Sequence, residues 1–141
     1  MHTRVHASFS FDRRYGGVRV ERPSSHSLQL DKDTHVLAQE ENIAQYVNHA
    51  CEPNAIFIPV PQLLVAHLVA IEYVEAGEHV TFNYNTTEYS MQESFNCKCG
   101  APTCDGNIRG YAHLPPQRQK DLRPLCVPHL LTLDVKGDVA L

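Results

Sequence analysis

Apolar and polar residues alternate in several short runs, and clusters of turn residues separate the runs. "SLQL", residues 27–30, and "THVLA", residues 34–38, flank the polar "DKD" and predict a β-hairpin. "AIFIPVP", residues 55–61, is apolar and extended. Pro59 and Pro61 cannot donate to a sheet ladder, so this segment is predicted to lie at a sheet edge. "LLVAHLVAIEYV", residues 63–74, is the strongest apolar run and the best candidate for a buried strand. "EAG" then turns the chain. In "EHVTFNY", residues 78–84, the alternation puts Val80, Phe82 and Tyr84 on one face. Helical spacing is rarer. Ile43, Tyr46 and Val47 in "ENIAQYVNHA" predict one or two helical turns. Pro115 and Pro116 are placed to open a short helix over Gln117 to Leu122. The first 25 residues are polar, with breaks at "RRYGG" and "RPSSHS". The tail after Leu133 reads as frayed.

Composition narrows the picture. A chain of 141 residues predicts one domain. Hydrophobic residues make up 43% and charged residues 20%, as in ordinary globular proteins. Twelve Lys and Arg against sixteen Asp and Glu leave a net charge of -4. That balance disfavours nucleic acid and anionic membrane as partners and suits a basic substrate better. The N-terminus carries no apolar signal core, and no run is long enough to span a bilayer, so an intracellular protein, cytoplasmic or nuclear, is expected. Five cysteines do not suit a disulfide framework, which needs an even number. In a reducing compartment clustered cysteines more often hold metal.

The cysteines are clustered. "CKCGAPTC" sets Cys97, Cys99 and Cys104 in a C-x-C-x4-C arrangement on a Gly/Pro loop. Three thiolates so spaced can take three corners of a tetrahedron around zinc, with Zn–S bonds of about 2.3 Å. The fourth corner is not supplied locally. Asp105 is a poor match and His113 lies beyond a new segment. Cys51, inside "NHACEPN", completes a four-cysteine site if the core folds back onto the loop. Cys126 reads as a packed free thiol.

Three stretches together carry a resemblance. "YVNHACEPN", "AIEYVEAGEHVTFNY" and "FNCKCGAPTCDGNIRGY" resemble, in order, the C-terminal motifs of the SET-domain family and its post-SET zinc loop. The likeness runs from about residue 26 to residue 112. It implies a mostly β fold of small twisted sheets with short helices, a C-terminal pseudoknot and a post-SET zinc loop. It divides the chain into a shortened N-terminal segment (1–25), a SET-like core (26–90), the zinc loop (91–112) and a C-terminal helical tail (113–141). Only the remnant "YGGV", residues 15–18, stands for the family's Gly-x-Gly turn, and the strand that normally follows is expected to be absent.

The implied chemistry is methyl transfer from S-adenosylmethionine, most often to a protein lysine. Tyr84 matches the tyrosine at the transfer site. Asn48 and His49 match the pair that contacts the donor. Phe82 matches a pocket-wall aromatic, and Phe95 matches the aromatic that closes over donor and substrate. Cys51, Cys97, Cys99 and Cys104 match the zinc ligands, and Ile108, Gly110 and Tyr111 match the segment after them. The sequence departs from the family at Ala50, usually Ser, at Asn83, usually Asp, and at His79, usually Glu. His26 stands where many relatives have an active-site tyrosine. Read from composition alone, Phe82 fits core packing as well as a pocket wall, and Tyr84 without its motif reads as core or edge. Two other functions fit the same residues: a SET-like enzyme acting on a small molecule, and a non-catalytic SET-like binding module. The apolar faces around residues 63–74 also predict a second copy or another chain as cover, giving a homo-oligomer in the first case.

Overall fold

The computed structural model describes residues 9–10, 17–20, 27–31, 33–38, 46–60, 62 and 65–139. Residues 13–16 of "RRYGG", 22–26 of "RPSSHS", His26 among them, and the helical turn around Ile43 lie outside these residues.

Ten short strands and two helices make up the described chain, which is mostly β. The strands are β1 (Phe9–Ser10), β2 (Gly17–Val20), β3 (Ser27–Gln29), β4 (His35–Ala38) and β5 (Asn48–His49). They continue as β6 (Ala55–Val60), β7 (Val65–Ala70), β8 (Thr81–Phe82), β9 (Phe95–Asn96) and β10 (Asn107–Ile108). The helices are α1 (Pro116–Leu122) and α2 (Pro128–Val139).

The sheets are small. β3 and β4 form the expected antiparallel hairpin, with β2 on the other side of β4. Its turn is closed by Leu30 N–H donating to Thr34 O at 2.8 Å, and by Asp31 Oδ1 accepting from Asp33 N–H. A second sheet has the order β1-β7-β6, so the proline-bearing β6 is an edge and the apolar β7 is central, as the sequence predicts. One face of this sheet carries Ala55, Phe57, Ala66 and Leu68 into a core shared with Leu30 and Phe82. Ile58 points the other way and is exposed, as are Ile71 and Tyr73 after β7.

Tyr46 lies in a 3-10 turn, and Asn48 and His49 after it pair in parallel with Thr81 and Phe82. Two expectations are corrected. The strand through "EHVTFNY" is only two residues long. Asn83 ends it by capping a 3-10 turn, Tyr84–Thr86, with its side chain accepting from Asn85 N–H at 3.0 Å. Asn side chains compete for backbone donors in this way and so stop strands. The tail does not fray at Leu133, because α2 runs on to Val139. The helix over 117–122 forms as predicted, with a proline in its first turn.

The C-terminal segment has its own cluster of buried side chains, Tyr111, Val127 and Leu130, with Tyr89, Leu114 and Cys126 packed against it. It is joined to the rest at Gly110, whose φ of 109° belongs to glycine. A Cβ there would sit 2.6 Å from Tyr89 O. No helix among the described residues is long and apolar enough to cross a membrane.

Candidate functional site

The pairing of β5 with β8 builds the site. It sets "NHAC" beside "TFNY", with Asn48 opposite Thr81 and His49 opposite Phe82, and Ala50 N–H donates to Phe82 O at 3.1 Å. Asn54, at the end of "NHACEPN", locks this arrangement. Its Nδ2 donates to His79 O at 2.8 Å and its Oδ1 accepts from Thr81 N–H at 2.8 Å. The Pro-Asn turn therefore clamps the two segments together. Such a clamp is a common use of a buried Asn, whose amide supplies both donors and an acceptor.

His49 is the hub. Its Nδ1 accepts from Tyr84 N–H at 3.0 Å, so the ring proton lies on Nε2, which points at Cys51 Sγ at 3.3 Å. Burial lowers its pKa to about 4, with Asp105 opposing and Arg118 adding to the shift. The ring is neutral at pH 7 and acts as a directed donor. It also makes edge contacts with Tyr84 (centroids 5.2 Å apart) and Phe95 (5.7 Å), and these two rings meet each other at 5.7 Å.

Tyr84 Oη donates to Val47 O at 2.8 Å. Burial raises its pKa, against a lowering contribution from the His49 contact, so the phenol is neutral over the physiological range. With its proton committed to a carbonyl, the oxygen has lone pairs left to offer. An open cleft of about 540 Å³ lies in front of these groups, lined by Asn48, His49, Tyr84, Phe95, Cys97, Lys98 and Cys99. Four residues that the sequence singles out for donor binding or transfer thus meet in one place. Phe82 is different: it is buried in the core, 4.6 Å from Phe57 and 4.7 Å from Tyr84 by ring centroids, and it backs the Tyr84 ring without lining the cleft. Tyr46 is exposed and does not line it either.

The cysteine loop borders the same cleft. β9 and β10 pair antiparallel, Phe95 opposite Ile108 and Asn96 opposite Asn107, and Cys97 N–H donates to Gly106 O at 2.7 Å. This hairpin brings the ends of the loop together and turns Cys97, Cys99 and Cys104 toward Cys51. The four sulfurs lie within 4.8 Å of one another. Cys51 Sγ is 3.8 Å from Cys97 Sγ and 3.9 Å from Cys104 Sγ. A tetrahedron with Zn–S bonds of about 2.3 Å has edges of about 3.8 Å. The spacing is too long for disulfides, and all five cysteines are free. The donor set therefore fits a four-thiolate zinc ion. Burial pushes the Cys51 thiol up, whereas the Ala101 backbone pulls the outer Cys99 down to about 6. A divalent cation is what allows such crowded thiols to ionise together. Cys126 lies apart, in the C-terminal cluster.

Sequence reasoning does not single out Lys98, which lines the cleft, or Asn54 and Arg118, and it weighs Asp105 only as a poor zinc ligand. Lys98 sits between two marked cysteines, so its position was visible even though its role was not. Arg118 carries no local signal.

Comparison with known proteins adds a family. Residues 6–85 match the SET domain family. The match takes in β1 and β2, so it reaches further toward the N-terminus than the likeness from residue 26 implied. β2 also supplies a strand where the sequence predicts none. The family match ends before the cysteine loop. An H3 lysine-36 specific histone-lysine N-methyltransferase from Coccidioides immitis is 35% identical over 86 residues, 59% of this chain and 8% of that protein. An H3 lysine-4 specific histone-lysine N-methyltransferase from Schizosaccharomyces pombe is 34% identical over 94 residues, 64% of this chain and 10% of that protein. The histone-lysine N-methyltransferase ash1 of Drosophila melanogaster is 30% identical over 103 residues, 71% of this chain and 5% of that protein. The chain spans a tenth or less of the length of these curated relatives. With more than half of its residues in the match, the chain belongs to the SET-domain family.

Proposed function

We propose that the chain is an S-adenosylmethionine-dependent N-methyltransferase acting on protein lysine, with Tyr84 at the transfer site and Asn48, His49 and Phe95 holding the donor. One observation carries the reading: the Tyr84 hydroxyl is fixed by Val47 O at the wall of a cleft that Asn48, His49 and Phe95 also line. The relatives' printed activity, histone-lysine methyl transfer, supports the substrate class. A nuclear or cytoplasmic location goes with it.

The donor would supply an electrophilic methyl group. The chain's own residues do the rest. Displacement in line needs no base at carbon; it needs aligned reactants and a site without competing water. Tyr84 offers lone pairs toward the cleft, where they can accept an amine N–H and orient its nitrogen. A lysine amine, with a reference pKa of about 10.4, must lose a proton before it attacks. The aromatic wall of Tyr84 and Phe95 disfavours the ammonium form by desolvation. Phe82 stiffens Tyr84 from behind. Cys51, Cys97, Cys99 and Cys104 would hold zinc, and ligation there would tie the loop that follows Phe95 to the segment carrying His49.

The test is a titration of S-adenosylmethionine into zinc-loaded protein by calorimetry, followed by incubation of the methyl-labelled donor with core histones. Donor binding with label on lysine supports the reading. Binding with label only on a metabolite gives the small-molecule enzyme, and no binding gives the non-catalytic module.

A further inference from the structure

The motifs of the cleft and the cysteine loop end at Tyr111, yet a side chain from α1 reaches the cysteine cluster. Arg118 Nε donates to Asp105 Oδ1 at 2.8 Å, and Arg118 Nη2 donates to the backbone carbonyl of Cys51 at 3.0 Å. The two side chains are only 19% and 9% exposed, so salt screens the pair little. Asp105 in turn donates its backbone N–H to Cys51 Sγ at 3.3 Å. Two bonded residues therefore grip Cys51 at its carbonyl and at its sulfur. Asn83 Nδ2 also donates to the same carbonyl, at 3.3 Å.

Cys51 is the one cysteine of the cluster that comes from outside the loop, 46 residues before Cys97. Its backbone has to be registered against the loop to within a fraction of an ångström for four sulfurs to converge. A side-chain tie between the loop and this segment, Thr103 Oγ1 donating to Glu52 Oε1, is exposed. Exposed polar ties hold register poorly, because water competes for both ends. The Arg118–Asp105 pair, by contrast, is largely buried.

We infer that Arg118 is a positioning residue for the metal cluster. It fixes Cys51 against the loop through Asp105, and so makes retention of the ion depend on the C-terminal segment. The inference rests on reading the four cysteines as a zinc site. Asp105 cancels the guanidinium charge, so Arg118 acts through geometry and not as a net counter-ion. The planar guanidinium reaches a carboxylate and a carbonyl at once; a lysine ammonium lacks that fixed two-pronged shape. Partners outside the ligand set that orient ligands typically matter 10- to 100-fold in metal affinity.

The experiment uses the full chain loaded with zinc and, separately, with cobalt(II). Zinc release to a chromogenic chelator is timed for wild type, Arg118→Gln, Arg118→Lys, Asp105→Asn and Gln117→Ala. Gln117 lies on the same helix, and its amide bonds Asp121. Arg118→Gln should release zinc about 10-fold faster or more. It should also alter the sulfur-to-cobalt charge-transfer band. Arg118→Lys should fall between, and Gln117→Ala should match wild type. Arg118→Gln combined with Asp105→Asn should be no worse than either alone. Wild-type release from Arg118→Gln would overturn the inference, as would equal acceleration by Gln117→Ala, which would mean that any loosening of α1 suffices. If Arg118→Gln does not fold, Asp105→Asn, which is isosteric, decides between the same outcomes. Wild type that takes up neither zinc nor cobalt with thiolate character would instead remove the zinc reading, and the inference with it.

Discussion

Replacing Tyr84 by Phe removes one oxygen and leaves the ring packed among His49, Phe82 and Phe95. The structure separates two costs. The hydroxyl donates to Val47 O at 2.8 Å, so its loss leaves one carbonyl short of a donor and lowers stability by about 1–2 kcal/mol. At the transfer site the loss of one positioned polar group should cost about 10²–10³-fold in turnover, or roughly 3–4 kcal/mol of barrier. The folding cost cannot imitate the catalytic one: a variant with only about 3 kcal/mol of stability left is still about 99% folded. Donor affinity should change little, because Asn48, His49 and Phe95 remain in place. The assay is label transfer from methyl-labelled donor at saturating donor and acceptor, with calorimetry of the donor on the same samples. Tyr84→Phe as active as wild type refutes the role given to the hydroxyl. Equal losses of donor affinity and turnover would also refute it, since they would place the hydroxyl in donor binding.

Cys51→Ser should abolish stoichiometric zinc and lower the unfolding temperature, because the ion contributes folding energy directly; zinc content equal to wild type by metal analysis contradicts the four-cysteine site. Glu88 accepts from Gln29 N–H at 3.0 Å, and burial raises its pKa to about 7 against a partial lowering by that bond. A raised carboxyl means the native state binds the extra proton, so stability falls as pH rises from about 4.5 to 7, by at most about 1.4 kcal/mol per unit. Glu88→Gln should flatten that slope in urea unfolding between pH 5 and 8, and an unchanged slope counts against it. Gly110→Ala should cost about 2–4 kcal/mol in denaturant unfolding, from positive φ and the contact with Tyr89 O, and a cost under about 0.5 kcal/mol would contradict the geometry. A second copy or another chain is expected to cover the exposed Ile58, Ile71 and Tyr73; light scattering that finds a monomer at every concentration rules out the homo-oligomer.

Residues that act through short spacings were legible. "CKCGAPTC" announced three sulfurs, and "NHACEPN" supplied the fourth once the chain folded back. The prolines of β6 and the apolar run of β7 gave their places in the sheet, because the missing N–H of proline and the burial of a central strand are local facts. Phe82 and Tyr84 share an alternating pattern, which cannot tell a ring that lines a cleft from one that backs it. That distinction depends on where Asn83 ends the strand. The reach of α2 was hidden by Gly137, which weakens a helix by about 1 kcal/mol relative to Ala, and by the mixed polarity of its end. Arg118 was invisible for another reason: its partners, Asp105 and Cys51, are 13 and 67 residues away and related to it only by the fold.

The most direct test of the account is mass spectrometry of core histones incubated with the zinc-loaded full chain and methyl-labelled S-adenosylmethionine. Label is expected on lysine side chains, dependent on Tyr84 and lost with Cys51→Ser. Protein that binds the donor and holds zinc, yet leaves every lysine unlabelled across histones and whole-cell protein, would contradict it.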